Sequence, residues 1–145
     1  MKSFKTFSGI AAPLIRVNID TDAIIPSREI KTVSKKGLSG GLFAEWRYLS
    51  LESRKENPDF ILNQDPFKKA SILVTGNNFG CGSSREHAVW ALSEWGIRAI
   101  IAPSYGSIFY SNCIKNGILP IVMDGRVISS MSEFIKDNPE ENRLT

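Results

Sequence analysis

At 145 residues, with 42% hydrophobic and 23% charged side chains, the chain has the size and balance of one ordinary soluble globular domain, which excludes a disordered tail and a disulfide-built mini-protein. The formal net charge of +3 is mild, and short pairs such as Lys35-Lys36 and Lys68-Lys69 are solvated surface rather than a phosphate-binding stripe, so no nucleic-acid partner is expected. No run approaches the roughly 18 apolar residues of a membrane helix, so no membrane partner is expected either.

Met1-Lys2-Ser3-Phe4-Lys5 is basic but lacks an apolar run behind it, and so does not read as a signal peptide. Residues 1 to about 69 read as strands and irregular loops, punctuated by Gly9, Pro13, Pro26, Gly37, Gly40, Gly41, Pro58 and Pro66. Within them, Asn18-Ile19-Asp20-Thr21-Asp22 sets two carboxylates and a threonine between apolar runs, a pattern for a turn held by Asx-type hydrogen bonds. Two aspartates also suit a hard cation or an acid–base pair, but they are too few ligands for calcium. The polar, glycine-rich stretch from Arg28 to Gly41 reads as a mobile loop of the kind that is usually functional or disordered. Leu42 to Leu49 has room for a short helical turn.

From Ala70 onward the pattern sharpens. Ala70 to Thr75 is a short apolar run and a buried strand. Ala88, Ala91, Leu92 and Trp95 recur at helical spacing, with Gly96 placed to end the helix. Arg98 to Ala102 is a second strand closed by Pro103, which makes a strand–helix–strand unit with parallel strands. Ser107 to Asn116 is a further helix stopped by Gly117. Ile118 to Val122 is a third strand, and Ser129 to Lys136 a last short helix. The fold class is α/β, with a parallel βαβ unit inside a mixed sheet.

The segment Gly76-Asn77-Asn78-Phe79-Gly80-Cys81-Gly82-Ser83-Ser84-Arg85-Glu86-His87 carries the chemistry. Three glycines permit tight turns and close approach to a ligand. Ser83 with Glu86 three positions on has the pattern of a capping box, which starts the helix at Ser83 and puts backbone N–H groups, two hydroxyls and a guanidinium at one helix end, an anion site. The segment lacks the Gly-Lys-Ser/Thr of a Walker A loop, and Arg85 replaces the third glycine of a dinucleotide fingerprint. The guanidinium fork of Arg85 matches a planar carboxylate.

Metal binding is not expected from this chain. Cys81 and Cys113 are the only cysteines and His87 the only histidine, too few for a structural zinc site or for the four thiolates of an iron–sulfur cluster. Without a signal peptide the cysteines read as reduced thiols of a cytoplasmic protein. Cys81 as a nucleophile with His87 as its base is a competing reading. Against it, His87 lies four residues into the expected helix, and Glu86, the one acidic group near it, is used by the cap.

Asn18-Ile19-Asp20-Thr21-Asp22 followed by Gly80-Cys81-Gly82-Ser83-Ser84-Arg85-Glu86-His87-Ala88 resembles the small subunits of 3-isopropylmalate dehydratase (isopropylmalate isomerase), in the aconitase superfamily. The likeness continues through Gly41-Leu42-Phe43-Ala44-Glu45-Trp46-Arg47, Asn57-Pro58-Asp59-Phe60-Ile61-Leu62-Asn63 and Ile101 to Phe109, and covers the chain from about Ile10 to Val122. It implies a single swivelling β/β/α domain over residues 1–145, in a heterodimer with a large subunit that carries a [4Fe–4S] cluster, this chain binding no cofactor or metal itself. It implies interconversion of 2- and 3-isopropylmalate, hydroxy-dicarboxylates of leucine biosynthesis, through a dehydrated intermediate. Ser83 takes the place of the family's catalytic serine base. Gly82, Ser84, Arg85, Asp20 and Thr21 take substrate-binding places, and the loop residues Ile30, Lys31, Thr32 and Val33 fall where substrate side chains are discriminated. Bacterial small subunits of this type continue past the position of Thr145, which reads as a truncated or naturally shorter form. A related hydro-lyase acting on homoaconitate- or methylmalate-type substrates, and a non-catalytic carboxylate-binding subunit, remain alternatives.

Overall fold

The computed structural model describes residues 7–30, 37–50, 52–137 and 143–144. Four short strands, β1 (Gly9–Leu14), β2 (Ile72–Thr75), β3 (Ala99–Ala102) and β4 (Leu119–Val122), pair in parallel in the order β4-β3-β2-β1. A two-residue strand, β5 (Arg143–Leu144), pairs antiparallel with Gly9 and Ile10 at the outer side of β1. Every residue of β2 and β3 is buried, which is why they read in the sequence as unbroken apolar runs rather than alternating ones. The prolines fit this order. Pro120 lies in β4, at the sheet edge, and Pro13 lies beyond the two β1 residues that β5 reaches, positions where a missing N–H is tolerated.

The helices are α1 (Thr21–Ile24), α2 (Ala44–Arg47), α3 (His87–Trp95), α4 (Ser107–Lys115) and α5 (Gly125–Asp137). Helix α3 ends on Gly96, at φ 118°, whose N–H returns to the carbonyls of Leu92 and Ser93, as the glycine stop predicts. Helix α5 begins four residues before the expected start at Ser129. Asp124 accepts a hydrogen bond from Arg126 N at 2.8 Å and so supports a first turn that opens on Gly125, a weak helix former. Ile128, Ser132 and Ile135 form its buried stripe, and it packs on β1, β2 and β3.

The amino-terminal half is less strand-rich than the sequence suggests. Apart from β1, its described residues form α1, α2 and four three-residue 3-10 turns. Helix α2 sits inside the 42–49 segment expected to hold a helical turn. These pieces are too short to stand alone and are held by packing: Phe43 and Trp46 stack at 5.8 Å, and both lie near Phe60.

Candidate active site

The glycine loop between β2 and α3 is clamped from two sides. On one side, Asn18 N donates to Asn77 O (2.8 Å), Gly80 N to Ile19 O (2.7 Å) and Thr21 N to Cys81 O (2.9 Å). On the other, Phe79 N donates to Ser104 O (3.1 Å) and Gly106 N to Phe79 O (2.9 Å), while the Ser104 hydroxyl accepts from Asn78 N (2.8 Å). Two segments that lie 62 positions apart in the chain, around Thr21 and Ser83, are thereby brought together. Asn78, at φ 60°, adopts a backbone conformation that asparagine tolerates better than most residues, and its amide donates to Asn18 Oδ1 at 3.0 Å. The Asn77-Asn78 pair is thus a part of the site's frame that motif reading passed over.

The expected capping box does not form. Helix α3 starts at His87, and no side-chain capping bond accompanies its N-cap, Glu86. The Glu86 carboxylate is drawn instead to donors on other turns: Trp90 Nε1 (3.2 Å) and Asn116 Nδ2 (3.0 Å), with Lys115 Nζ at 3.8 Å. Ser83 therefore lies ahead of the helix rather than at its cap, and the helix dipole, which acts within the first turn, is centred four residues away. Glu86 ties α3 to α4, a tertiary role with no local sequence signature.

The candidate residues converge nonetheless. Gly82 (φ 95°), Ser83 and Ser84 are exposed, and the Arg85 side chain is 25% exposed. Arg85 Nη1 donates to Ile25 O (3.1 Å) and approaches Asp22 Oδ1 (3.4 Å). Among the described residues no protein acceptor engages its Nε or Nη2, so that edge of the guanidinium is open to a ligand. Asp20 spends one carboxylate oxygen on capping α1, accepting from Ala23 N at 2.7 Å, a helix cap three residues on in place of the expected Asx-type turn. Thr21 is only 2% exposed and points its hydroxyl at Ser83, 3.0 Å from Oγ. Cys81 is half-buried, and His87 packs edge-on against Trp90 at 4.9 Å. Among the described residues no hydrogen bond joins the two. Cys113 is buried, and burial pushes its thiol up to about 12, the state of an inert core cysteine.

Of the expected discrimination loop, Ile30 is described and half-buried, while Lys31, Thr32 and Val33 lie outside the described residues. The loop's returning stem is firmly held: the Glu94 carboxylate accepts from Gly37 N (2.6 Å) and Ser39 N (2.7 Å), and Arg47 donates to Ser39 O (2.8 Å). At the outgoing stem, Glu29 pairs with Arg54 and lies against Gly41, where an added Cβ would come within 2.5 Å of Glu29 Cβ. The backbone N–H of Ser39 is the main reason the Glu94 carboxyl titrates below its ordinary value. A carboxyl held low in the fold contributes stability above its unfolded value of about 4.3 and loses that contribution as pH falls through the lower folded value. Denaturation midpoints between about pH 3 and 6 should therefore fall more steeply on acidification for the wild type than for Glu94→Gln; equal slopes would show the clamp contributes nothing.

A family model for the aconitase C-terminal domain matches residues 1–126. Over all 145 residues the chain is 54% identical to a 3-isopropylmalate dehydratase small subunit from Cupriavidus necator, and it covers 70% of that protein. The chain belongs to the 3-isopropylmalate dehydratase small subunits. Other small subunits of the family agree. One from Leptospira interrogans is 51% identical over 138 residues, 95% of this chain and 67% of that one. One from Rhodospirillum rubrum is 59% identical over 123 residues, 85% and 58%. The crystal structure of 3-isopropylmalate dehydratase from Methanocaldococcus jannaschii superposes with a TM-score of 0.61 at 34% identity, over 82% of this chain and 63% of that one. The chain thus spans between 58% and 70% of the length of these small subunits and that crystal structure. The expected α/β, aconitase C-terminal-like fold is borne out. The family is named for a hydro-lyase, and a small subunit implies a large one.

Proposed function

We propose that this chain forms a heterodimer with an isopropylmalate isomerase large subunit and contributes the base and a carboxylate contact for interconverting 2- and 3-isopropylmalate in leucine biosynthesis, in the cytoplasm. The observation that carries the reading is the pairing of an exposed Ser83 with Arg85, whose anchored guanidinium keeps an open edge two residues away. A dicarboxylate held by that fork would present its α-carbon to the serine, and charge-assisted bidentate bonds supply the orientation.

The chain's own residues do not fit a metal cluster. It has two cysteines, and the described residues contain no group of three or more His, Cys, Asp and Glu side chains able to hold a metal ion. Under this reading the [4Fe–4S] cluster belongs to the large subunit, and this chain binds, orients and moves the proton. Among the described residues no helix is long and apolar enough to cross a membrane, and no membrane partner enters the proposal.

The test is anaerobic turnover by this chain mixed with the cluster-loaded large subunit, each component alone serving as control. Activity on isopropylmalate in the mixture only is the expected result. Preference for homocitrate- or methylmalate-type substrates would move the assignment to a related hydro-lyase, and a silent mixture with an intact cluster would overturn it.

A further inference from the structure

We infer that Thr21 is a positioning residue for the proton on Ser83, a two-way hydroxyl that stabilises the serine in both of its protonation states, and not a contact to substrate. The inference rests on the reading of Ser83 as the base.

Three observations support it. Thr21 is only 2% exposed, so its hydroxyl lies beneath the exposed Ser83 rather than in the solvent a substrate would enter from. Its position is fixed: Thr21 N donates to Cys81 O (2.9 Å), Thr21 O accepts from Ile25 N (2.9 Å), and a β-branched side chain has few χ1 choices. Finally, Oγ1 lies within reach of two oxygens of one residue, Ser83 O at 3.1 Å and Ser83 Oγ at 3.0 Å. Gly82 shapes the turn that carries Ser83: its backbone stands at φ 95°, and a Cβ there would be a tight 3.3 Å from Asp20 Cβ.

A threonine hydroxyl has one hydrogen and two lone pairs, which permits two complete arrangements. With Ser83 protonated, the serine donates to Thr21 Oγ1 and Thr21 donates to the Ser83 carbonyl. With Ser83 ionised, Thr21 turns its single hydrogen onto Ser83 Oγ, a charge-assisted bond stronger than the neutral one it replaces. In the dehydration direction the substrate C–H proton arrives on Ser83 Oγ, the C–H electron pair becomes the C=C bond, and the neighbouring hydroxyl leaves with the C–O electron pair as hydroxide, which the large subunit must accept. Thr21 then swings its hydrogen back to the carbonyl. Rehydration returns the proton from Ser83 to carbon and reverses the swing. Neither state leaves a buried hydroxyl without a partner, the condition that makes such a pair tolerable inside a protein.

The test compares Thr21→Val, which keeps the shape and removes the hydroxyl, with Thr21→Ser, which restores it, and with Ser83→Ala, all assayed with the large subunit. Thr21→Val is expected to lower kcat about 10- to 100-fold, the scale of one bond to a charged oxygen, with KM within about threefold and the acid limb of the kcat profile moved to higher pH. Thr21→Ser should recover most of the loss. A valine variant with kcat within about threefold of wild type, or one whose KM rises while kcat holds, overturns the inference even if Ser83→Ala is inactive. An active Ser83→Ala would overturn the underlying reading itself. Should valine fail to fold, as judged by circular dichroism, Thr21→Ala with and without the serine rescue gives the same comparison.

Discussion

Gly80→Ala is expected to cost roughly 2–5 kcal/mol, the sum of about 1–2 for a left-handed backbone on an L-residue and about 1–3 for overpacking. Gly80 sits at φ 76°, and a Cβ there would lie 2.2 Å from the Phe109 ring. That ring cannot retreat, because Phe109 is 3% exposed and packs edge-to-face on the fully buried Phe79 at 5.3 Å. For a chain of this length the cost corresponds to a fall in melting temperature of about 5–15 °C. Turnover with the large subunit should fall as well, since the same turn aims Ser83. Gly40, which has nothing within 4 Å of an added Cβ and no positive φ, is the control: Gly40→Ala should stay within about 0.5 kcal/mol of wild type. Equal melting temperatures for the two alanine variants would refute the packing argument.

Ser83→Ala should reduce turnover by about 10²- to 10⁴-fold, the usual loss of an acid–base group, while leaving assembly with the large subunit unchanged. The side chain is exposed and its one described partner is the Thr21 hydroxyl, so its removal leaves the loop's backbone clamps intact. A serine hydroxyl is a very weak acid, and each unit of pKa lowering takes about 1.36 kcal/mol. A helix terminus would offer only about 0.3–1 kcal/mol when exposed, and α3 begins at His87, four positions further on. To act as the proposed base, the serine therefore needs help from the Thr21 hydroxyl, the substrate and the large subunit. Titrating the alanine variant against a fixed amount of large subunit separates the two effects: an unchanged midpoint with lost turnover is expected, whereas normal turnover would remove Ser83 from the chemistry.

The carboxyl-terminal half was readable because its elements carry local signals. The apolar runs at Ile72–Thr75 and Ala99–Ala102, the helical spacing of Ala88 to Trp95 and the stops at Gly96 and Gly117 each fix an element without reference to the rest of the chain. The place of β1 was not readable in the same way, since its partner β2 begins some 60 residues later and strand order leaves no mark in local pattern. The capping box misled for a related reason. Ser83 and Glu86 have the right spacing, but Trp90 and Asn116 offer the carboxylate better donors, and tertiary contacts outweigh a local cap. At the site, the residues of the Gly-Ser-Ser-Arg-Glu motif were visible as a group through their likeness to a family. Their contact with Thr21, across 62 positions, came only with the fold.

The attachment of the 37–41 stem to Glu94 has a consequence for how new specificities can arise. Helix α3 rises about 1.5 Å per residue, so Glu94, seven residues beyond the start at His87, lies roughly 10 Å along the axis from the end that follows Arg85. Under the proposed function, the anchor of the expected discrimination loop and the chemical loop thus belong to one helix but to opposite ends of it. A segment whose stems are held by Glu94 and by the Glu29–Arg54 pair, away from the reacting end, could then be exchanged as a cassette. On that reading its sequence can drift, or be swapped by design, so long as Glu94, Arg47 and the Gly37 and Ser39 backbone they brace are kept, and the reacting end need not be retuned each time.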